Sequence, residues 1–238
     1  MKVNMSLCTG CGQCLKYCPM KAIKIVQHKA EIDESLCAEC EVCVRIKACP
    51  NGAFEPPTEL RWPRSIRSIF SNPLTEFKET GVTGRGTEEM KTNDVTDRFK
   101  PGYLGIAVDV GRPNVGTSLR DVEVITSAVA PLGVSFEEKN PVTYLMKDRK
   151  TGRLNPEVLQ ERVISAVVEF TIPEDRLHSV LHALREAAGL VDTVFSVGVI
   201  KRVTEDPSSL SLPLGDDLRE FQVRPDSKVN VGLGRKAC

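Results

Sequence analysis

Cys8-Thr9-Gly10-Cys11-Gly12-Gln13-Cys14-Leu15-Lys16-Tyr17-Cys18-Pro19 places four cysteines within eleven residues. The pattern recurs. Residues 7–23 read LCTGCGQCLKYCPMKAI, and residues 36–54 read LCAECEVCVRIKACPNGAF. Each runs Leu-Cys-x2-Cys-x2-Cys, then a spacer, then Cys-Pro, then a short apolar tail. The first three cysteines of the copies are offset by 29 residues. Between the copies lies IKIVQHKAEID, which reads as an antiparallel hairpin turning near His28-Lys29.

Eight of the nine cysteines precede residue 50, and the ninth is Cys238. The chain therefore divides in kind into a cysteine-rich head and a long body. Its 238 residues suit one large domain or two modest ones. Only 5% are aromatic, so the core is expected to be aliphatic. The formal net charge is zero, without the basic excess that nucleic-acid binding leaves. No run of about 18 apolar residues predicts a membrane span. The first residues, MKVNMSLCTG, lack an apolar signal region, which predicts a cytoplasmic chain. Thiols stay reduced in that compartment. Clustered cysteines then read as metal ligands rather than disulfides. Structural zinc is the plainer alternative, but it favours paired C-x2-C units over three cysteines in step.

Three cysteines at i, i+3 and i+6 suit a chain wrapping a cubane cluster. Each two-residue step lets the backbone turn and offer the next thiolate, and a fourth ligand arrives from further away. The first copy matches the bacterial run C-x2-C-x2-C-x3-C-P in full. On these residues, positions 1–56 resemble a bacterial-type dicluster ferredoxin. The resemblance implies two 4Fe–4S clusters. Cys8, Cys11, Cys14 and Cys49 would hold one; Cys37, Cys40, Cys43 and Cys18 would hold the other. Gly10 and Gly12 would let backbone N–H groups approach the sulfurs. The second copy departs from the pattern, with a five-residue spacer, 44–48, instead of three. Lys47 in that spacer would favour a reduced cluster if it pointed inward.

Residues 57–102 read as an irregular linker or docking segment, rich in Pro, Gly, Thr and charge. Arg61, Arg64 and Arg67 flank Trp62 there, a composition that suits a protein interface. The alternative is a strap on the chain's own surface, with Trp62, Ile66 and Phe70 filling the seam. GVTGRG at 81–86 lacks the flanking strand, apolar helix and Lys-Ser/Thr ending of a phosphate loop.

Periodicity returns at residue 103. YLGIAVDVG alternates as a strand. Ser118 with Asp121 forms an acidic capping-box variant ahead of a helix carrying Val122, Ile125 and Val129. VSFEE and PVTYLMKD read as strands. ERVISAVVEFTI reads as a buried strand. PEDRLHSVLHALREAAGL reads as a helix starting at Pro173, with Leu177, Val180, Leu181, Leu184 and Ala188 on its apolar face. VDTVFSVGVIKRV is a further strand. The order predicts an α+β chain: a dicluster ferredoxin domain (1–56), the linker (57–102), a ferredoxin-like split βαβ sandwich (103–204) and a surface tail (205–238). In the sandwich, "ferredoxin-like" describes topology and implies no cluster. His178 and His182 stand four apart, but read as a solvated helix face. Asp109 and Asp121 read as strand-end and cap residues rather than an acid pair. No catalytic grouping is visible, and Cys238 reads as a free thiol.

The function expected is relay of electrons through two 4Fe–4S clusters, to or from a partner oxidoreductase or a larger complex, in the manner of anaerobic metabolism. The second domain would dock that partner or a second copy of the chain. Two other readings stand beside this one. RWPRSIRSIFSNP, GRGTEEMKTNDVT and PNVGT resemble the iron–sulfur portion of 6-hydroxynicotinate reductase-type proteins. That likeness implies an electron-delivering component acting on an aromatic or heterocyclic substrate, with catalysis on another chain. The paired βαβ units also resemble amino-acid-binding regulatory modules, which implies a redox-linked small-ligand sensor.

Overall fold

The computed structural model describes residues 1–78, 81–87, 98–202 and 221. Within them the chain mixes short strands and helices. The tail apart from Phe221, Cys238 included, lies outside the described residues, as does most of GRGTEEMKTNDVT.

The head is closed by its own ends. β1 (Lys2–Val3) pairs antiparallel with a strand just past the second copy, β4 (Phe54–Glu55). The copies are joined by a hairpin of β2 (Ile23–Val26) and β3 (Lys29–Ile32). Its turn is Gln27-His28, one residue earlier than the sequence suggests. Both turn residues have positive φ, 46° and 60°, as a type I′ turn demands when it follows strand twist. The head's small core packs Met1, Ile23, Ala30, Ala53 and Phe54 around its thiols.

The longer spacer of the second copy has a local cause. Its residues form a single helical turn, α1 (Val42–Arg45). Ala48 N–H then bonds to Cys43 O at 2.9 Å, and Lys47 N–H to Val44 O at 2.9 Å. With Lys47 at φ 53°, this is a Schellman stop. The two extra residues finish a turn and hand Cys49 back toward the first copy. Lys47 is exposed.

The linker is more ordered than its composition suggests. Ser65–Ser71 form the helix α2, and Glu76–Phe77 (β5) pair with Val82–Thr83 (β6). A seven-residue helix has room for two faces. Ile66 and Phe70, four apart, enter the main core, while Arg64 and Arg67, three apart, point at charged and carbonyl oxygens elsewhere. Trp62 remains 44% exposed and donates its indole N–H to Glu157 at 2.6 Å.

The body is organised by one sheet. β7 (Tyr103–Val110) leads through β8 (Thr117–Ser118) into α3 (Leu119–Val129), then to β9 (Ser135–Phe136). A short helix α4 (Pro141–Tyr144) and a hairpin of β10 (Met146–Asp148) and β11 (Arg153–Leu154) intervene. β12 (Arg162–Val163) pairs with β8, and β13 (Ala166–Pro173), α5 (Leu177–Ala188) and β14 (Phe195–Lys201) follow in chain order. The main sheet runs β14-β7-β13-β9, with every neighbour antiparallel. Leu104, Ile106, Val108 and Val110 share one core with Val168, Phe170 and Ile172 and with the apolar faces of α3 and α5. Alternation places all of these strand residues on one side.

Several local expectations are refined. Ser118 caps α3 through a full capping box with Asp121, an arrangement that stabilises a helix by about 1 kcal/mol. PVTYLMKD is not one strand. Asn140 caps it, accepting from Val142 N–H at 2.8 Å, and Pro141 sits at the first helical position, so its first half turns helical. VSFEE contributes only two strand residues. Pro173 ends β13, and a 3₁₀ turn over 174–176 precedes α5. Ala187, not Ala188, completes the buried face of α5.

Candidate metal centre

The structure divides eight thiols into two sets of four. Cys8, Cys11, Cys14 and Cys49 line one small cavity. Cys18, Cys37, Cys40 and Cys43 line a second. In each set, three cysteines come from one copy and the fourth from the other. The exchange follows from the hairpin, which lays the copies side by side so that each Cys-Pro turn reaches across. Among the described residues, no three His, Cys, Asp or Glu side chains converge closely enough to hold one metal ion.

The donors' chemistry agrees. Burial, followed by the neighbouring charge of Glu39, pushes Cys37 up to about 11. Burial and then the Cys40, Cys37 and Cys18 thiolates push Cys43 up to about 12. Cys14 is raised by burial too, and by Cys11, Cys49 and Cys8. Burial disfavours the thiolate at these three positions, and a cationic metal would offset that cost. Backbone donors are already aimed at sulfur. Ala30 N–H meets Cys8 Sγ at 3.3 Å, and Ala22 N–H meets Cys18 Sγ at 3.3 Å.

Glycine is required at one place in the first copy. Gly10 has φ +71°, and an added Cβ would stand 2.1 Å from the His28 carbonyl oxygen. Gly12 is also left-handed, at φ +73°, but an added Cβ would meet only Leu15, at an ordinary 3.7 Å. Twenty-nine residues on, the same backbone conformation recurs at Glu39 (φ 50°) and Glu41 (φ 55°). The loops are thus alike, but the second holds two side chains in a strained region. Glu39 is fully buried there. Its carboxylate accepts from the Met1 amino group at 2.9 Å and from Arg64 at 2.6 Å. Burial alone would raise its pKa, but these two cations outweigh it and hold the carboxyl below its usual range. Sequence reasoning missed Glu39. Aligning the two copies sets it opposite Gly10, and that mismatch is the signal that could have found it.

The second cavity faces the body. Arg67 donates to the carbonyls of Glu34 and Cys37, both at 2.8 Å, and its guanidinium is also ion-paired with Glu161. Arg45 donates to Cys40 O at 2.6 Å and to Asn72 at 2.8 Å. Asn114 N–H reaches Pro19 O at 2.6 Å, and Met20 packs where Gly116 leaves no room for a Cβ. These contacts join the head to the body around one cavity only.

The remaining candidates fall elsewhere. His178 and His182 lie tilted against each other, their Nε2 atoms 3.2 Å apart, and both meet Phe221 edge-on. Asp109 pairs with Arg85 at 3.0 Å, and Asp121 caps α3. Residues 84–87 run along β13: Val167 N–H bonds to Arg85 O, and Thr87 N–H bonds to Glu169. A wide groove, with about 1700 Å³ of free space open to solvent, lies against α2 and is walled by Trp62, Phe77 and Tyr144. No helix among the described residues is long and apolar enough to cross a membrane.

Comparison with known proteins bears on the cysteine-rich end of the chain. Residues 1–24 match the family described as a 4Fe-4S binding domain, so the chain carries a site for at least one 4Fe–4S cluster at that end. Over 48 residues the chain is 46% identical to a subunit of an ion-translocating oxidoreductase complex from Methanosarcina acetivorans, covering 20% of this chain and 17% of that protein. Over 104 residues it is 28% identical to "Hydrogenase-4 component A" of Escherichia coli, covering 43% and 46%. The chain thus spans less than half the length of either relative. No solved structure gives a significant match.

Proposed function

We propose that this chain is an electron-transfer protein, or subunit, that relays electrons through two 4Fe–4S clusters to or from a larger oxidoreductase. The observation that carries the reading is the sorting of eight cysteines into two cavities of four. Cys8, Cys11, Cys14 and Cys49 hold one cluster, and Cys37, Cys40, Cys43 and Cys18 hold the other. A 4Fe–4S cluster supplies one-electron chemistry. The chain's own part is to hold the thiolates, present N–H donors to sulfur and limit water. The two relatives, named as parts of larger assemblies, support a partner of that kind. Residues 1–56 are the cluster domain and 57–102 a strap. Residues 103–204 are a ferredoxin-like sandwich, a reading supported by the strand order β14-β7-β13-β9, and 205–238 a tail. The setting is the cytoplasm. Iron and acid-labile sulfide on anaerobically purified protein test the reading: about eight of each per chain, with a spin-coupled EPR signal after reduction, is the expected result. Four or fewer would sink the two-cluster relay.

The groove against α2 favours a second, finer reading: an iron–sulfur component of a reductase that acts on an aromatic or heterocyclic substrate, of the 6-hydroxynicotinate reductase type. Ser65, Ile66 and Ile69 of α2 line the groove, while Arg67 of the same helix and Arg64 just before it grip the second cavity's loop. One helix diameter, about 10 Å, separates the two sides. Trp62 is the chain's only tryptophan, so its fluorescence reports on this groove. Titration with nicotinate is expected to quench it saturably. Emission unchanged at millimolar nicotinate would remove this reading and leave the relay intact.

A further inference from the structure

The two cavities are not equivalent toward solvent. Cys11 is exposed, whereas the other seven ligand candidates are buried or half-buried. The second cavity is turned toward α2 and the body by Arg67, Arg45 and the Asn114–Pro19 contact. Among the described residues, the first has no such cover along the 5–17 loop. There Met5, Leu7, Leu15 and Tyr17 are all more than two-fifths exposed. That is an apolar centre beside a thiol, on a small domain with little apolar surface to spare.

The stretch of sequence that carries it is one-sided in charge. Residues 1–30 contain five lysines and no Asp or Glu, in a chain whose net charge is zero. Residues 31–59 reverse this, with seven acids against Arg45 and Lys47. The lysines nearest the first cavity are placed by contacts. Lys16 lies over the Tyr17 ring, 4.9 Å from its centroid. Lys29 donates to the carbonyls of Met5 (2.9 Å) and Cys8 (2.5 Å). Lys47 is exposed two residues before Cys49. Glu55, across the strand pair, accepts from Asn4 at 2.8 Å.

We propose that the Cys11 face is the docking surface for an acidic redox protein, one whose carboxylates ring an apolar centre. The inference rests on the relay reading and adds an orientation to it: the first cavity faces the partner, and the second faces the chain's own body. An apolar centre within a charged rim is how transient protein interfaces are built. The lysine rim steers an acidic partner and fixes its orientation, whereas a basic partner is repelled.

The test uses the holoprotein, purified anaerobically, with flavodoxin, a small acidic flavoprotein, as the probe. Dissociation constants are measured by calorimetry at about 20 mM and about 200 mM salt, where screening lengths differ severalfold. Zero-length carbodiimide cross-links are mapped by mass spectrometry. The expected result is affinity at least about tenfold weaker at the higher salt, with cross-links at Lys16 or Lys47. Lys16→Glu should weaken low-salt binding by about tenfold, while Lys150→Glu, on an exposed turn of the body, should not change it. Absence of binding at low salt, affinity indifferent to salt, cross-links confined to the body, or a Lys16→Glu variant that binds like the parent would each overturn the proposal. If any of these occurs in protein that holds its full iron, the docking face is wrong and the relay stands. Protein without iron fails the relay reading first.

Discussion

Cys14→Ala, purified without oxygen, is expected to hold about half the parent's iron and sulfide, with the spin-coupled EPR signal replaced by that of one isolated cluster. Cys14 is 6% exposed and stands in the first cavity with Cys8, Cys11 and Cys49. Alanine leaves three thiolates and an apolar gap where the fourth sulfur was. The second cavity loses nothing directly, because Cys18, Cys37, Cys40 and Cys43 are all retained. Cys43→Ala is the reciprocal experiment and should spare the first set. Its own side chain is buried enough that its thiol rises to about 12, so it too needs a metal to be held as thiolate. Full iron in either variant would refute the ligand assignment. Iron and sulfide are the right readout because electron transfer is lost whenever either half of a relay fails.

What the sequence made legible was what repeats locally. Two copies at a fixed offset need no tertiary information to recognise, and neither does the alternation of β7 or the Ser118–Asp121 box ahead of α3. The helix α2 escaped for a physical reason. It has only seven residues, lies between Pro63 and Pro73, and carries only three apolar residues, Ile66, Ile69 and Phe70. Its stability comes from partners distant in sequence: Arg64 finds Glu39 25 residues away, and Arg67 finds Glu161 94 residues away. No window along the chain contains those contacts. The turn at 141–144 escaped more simply, because β-branched residues suggest a strand until Asn140 and Pro141 are read as a start signal. Glu39 lies between these cases. The offset of the copies places it at a glycine position, but its partners, the Met1 amino group and Arg64, appear only in three dimensions.

The same distant contacts set the second large effect. Arg67→Met is expected to destabilise the protein by about 3–5 kcal/mol, because removing one member of a buried ion pair leaves the other charge uncompensated. Arg67 and Glu161 side chains are 7% and 11% exposed, so solvent screens them little. At this chain length each kcal/mol moves the thermal midpoint by about 2–4 °C, which makes the shift easy to see. Two consequences separate this from a general loss of packing. Arg67→Met with Glu161→Met should recover much of the stability, since the stranded carboxylate is gone. It should not restore the second cavity, because the carbonyls of Glu34 and Cys37 still lack their donor. In both variants visible absorbance from the second cluster should therefore bleach in air faster than in the parent, at a temperature where the body is folded by circular dichroism. A single variant with a thermal midpoint indistinguishable from the parent's would show that the pair contributes little. A double variant that bleaches at the parent's rate would show that Arg67 serves the body alone. Either result would remove the argument that α2 ties the second cavity to the sheet, and with it the reason for assigning that cavity the inward position.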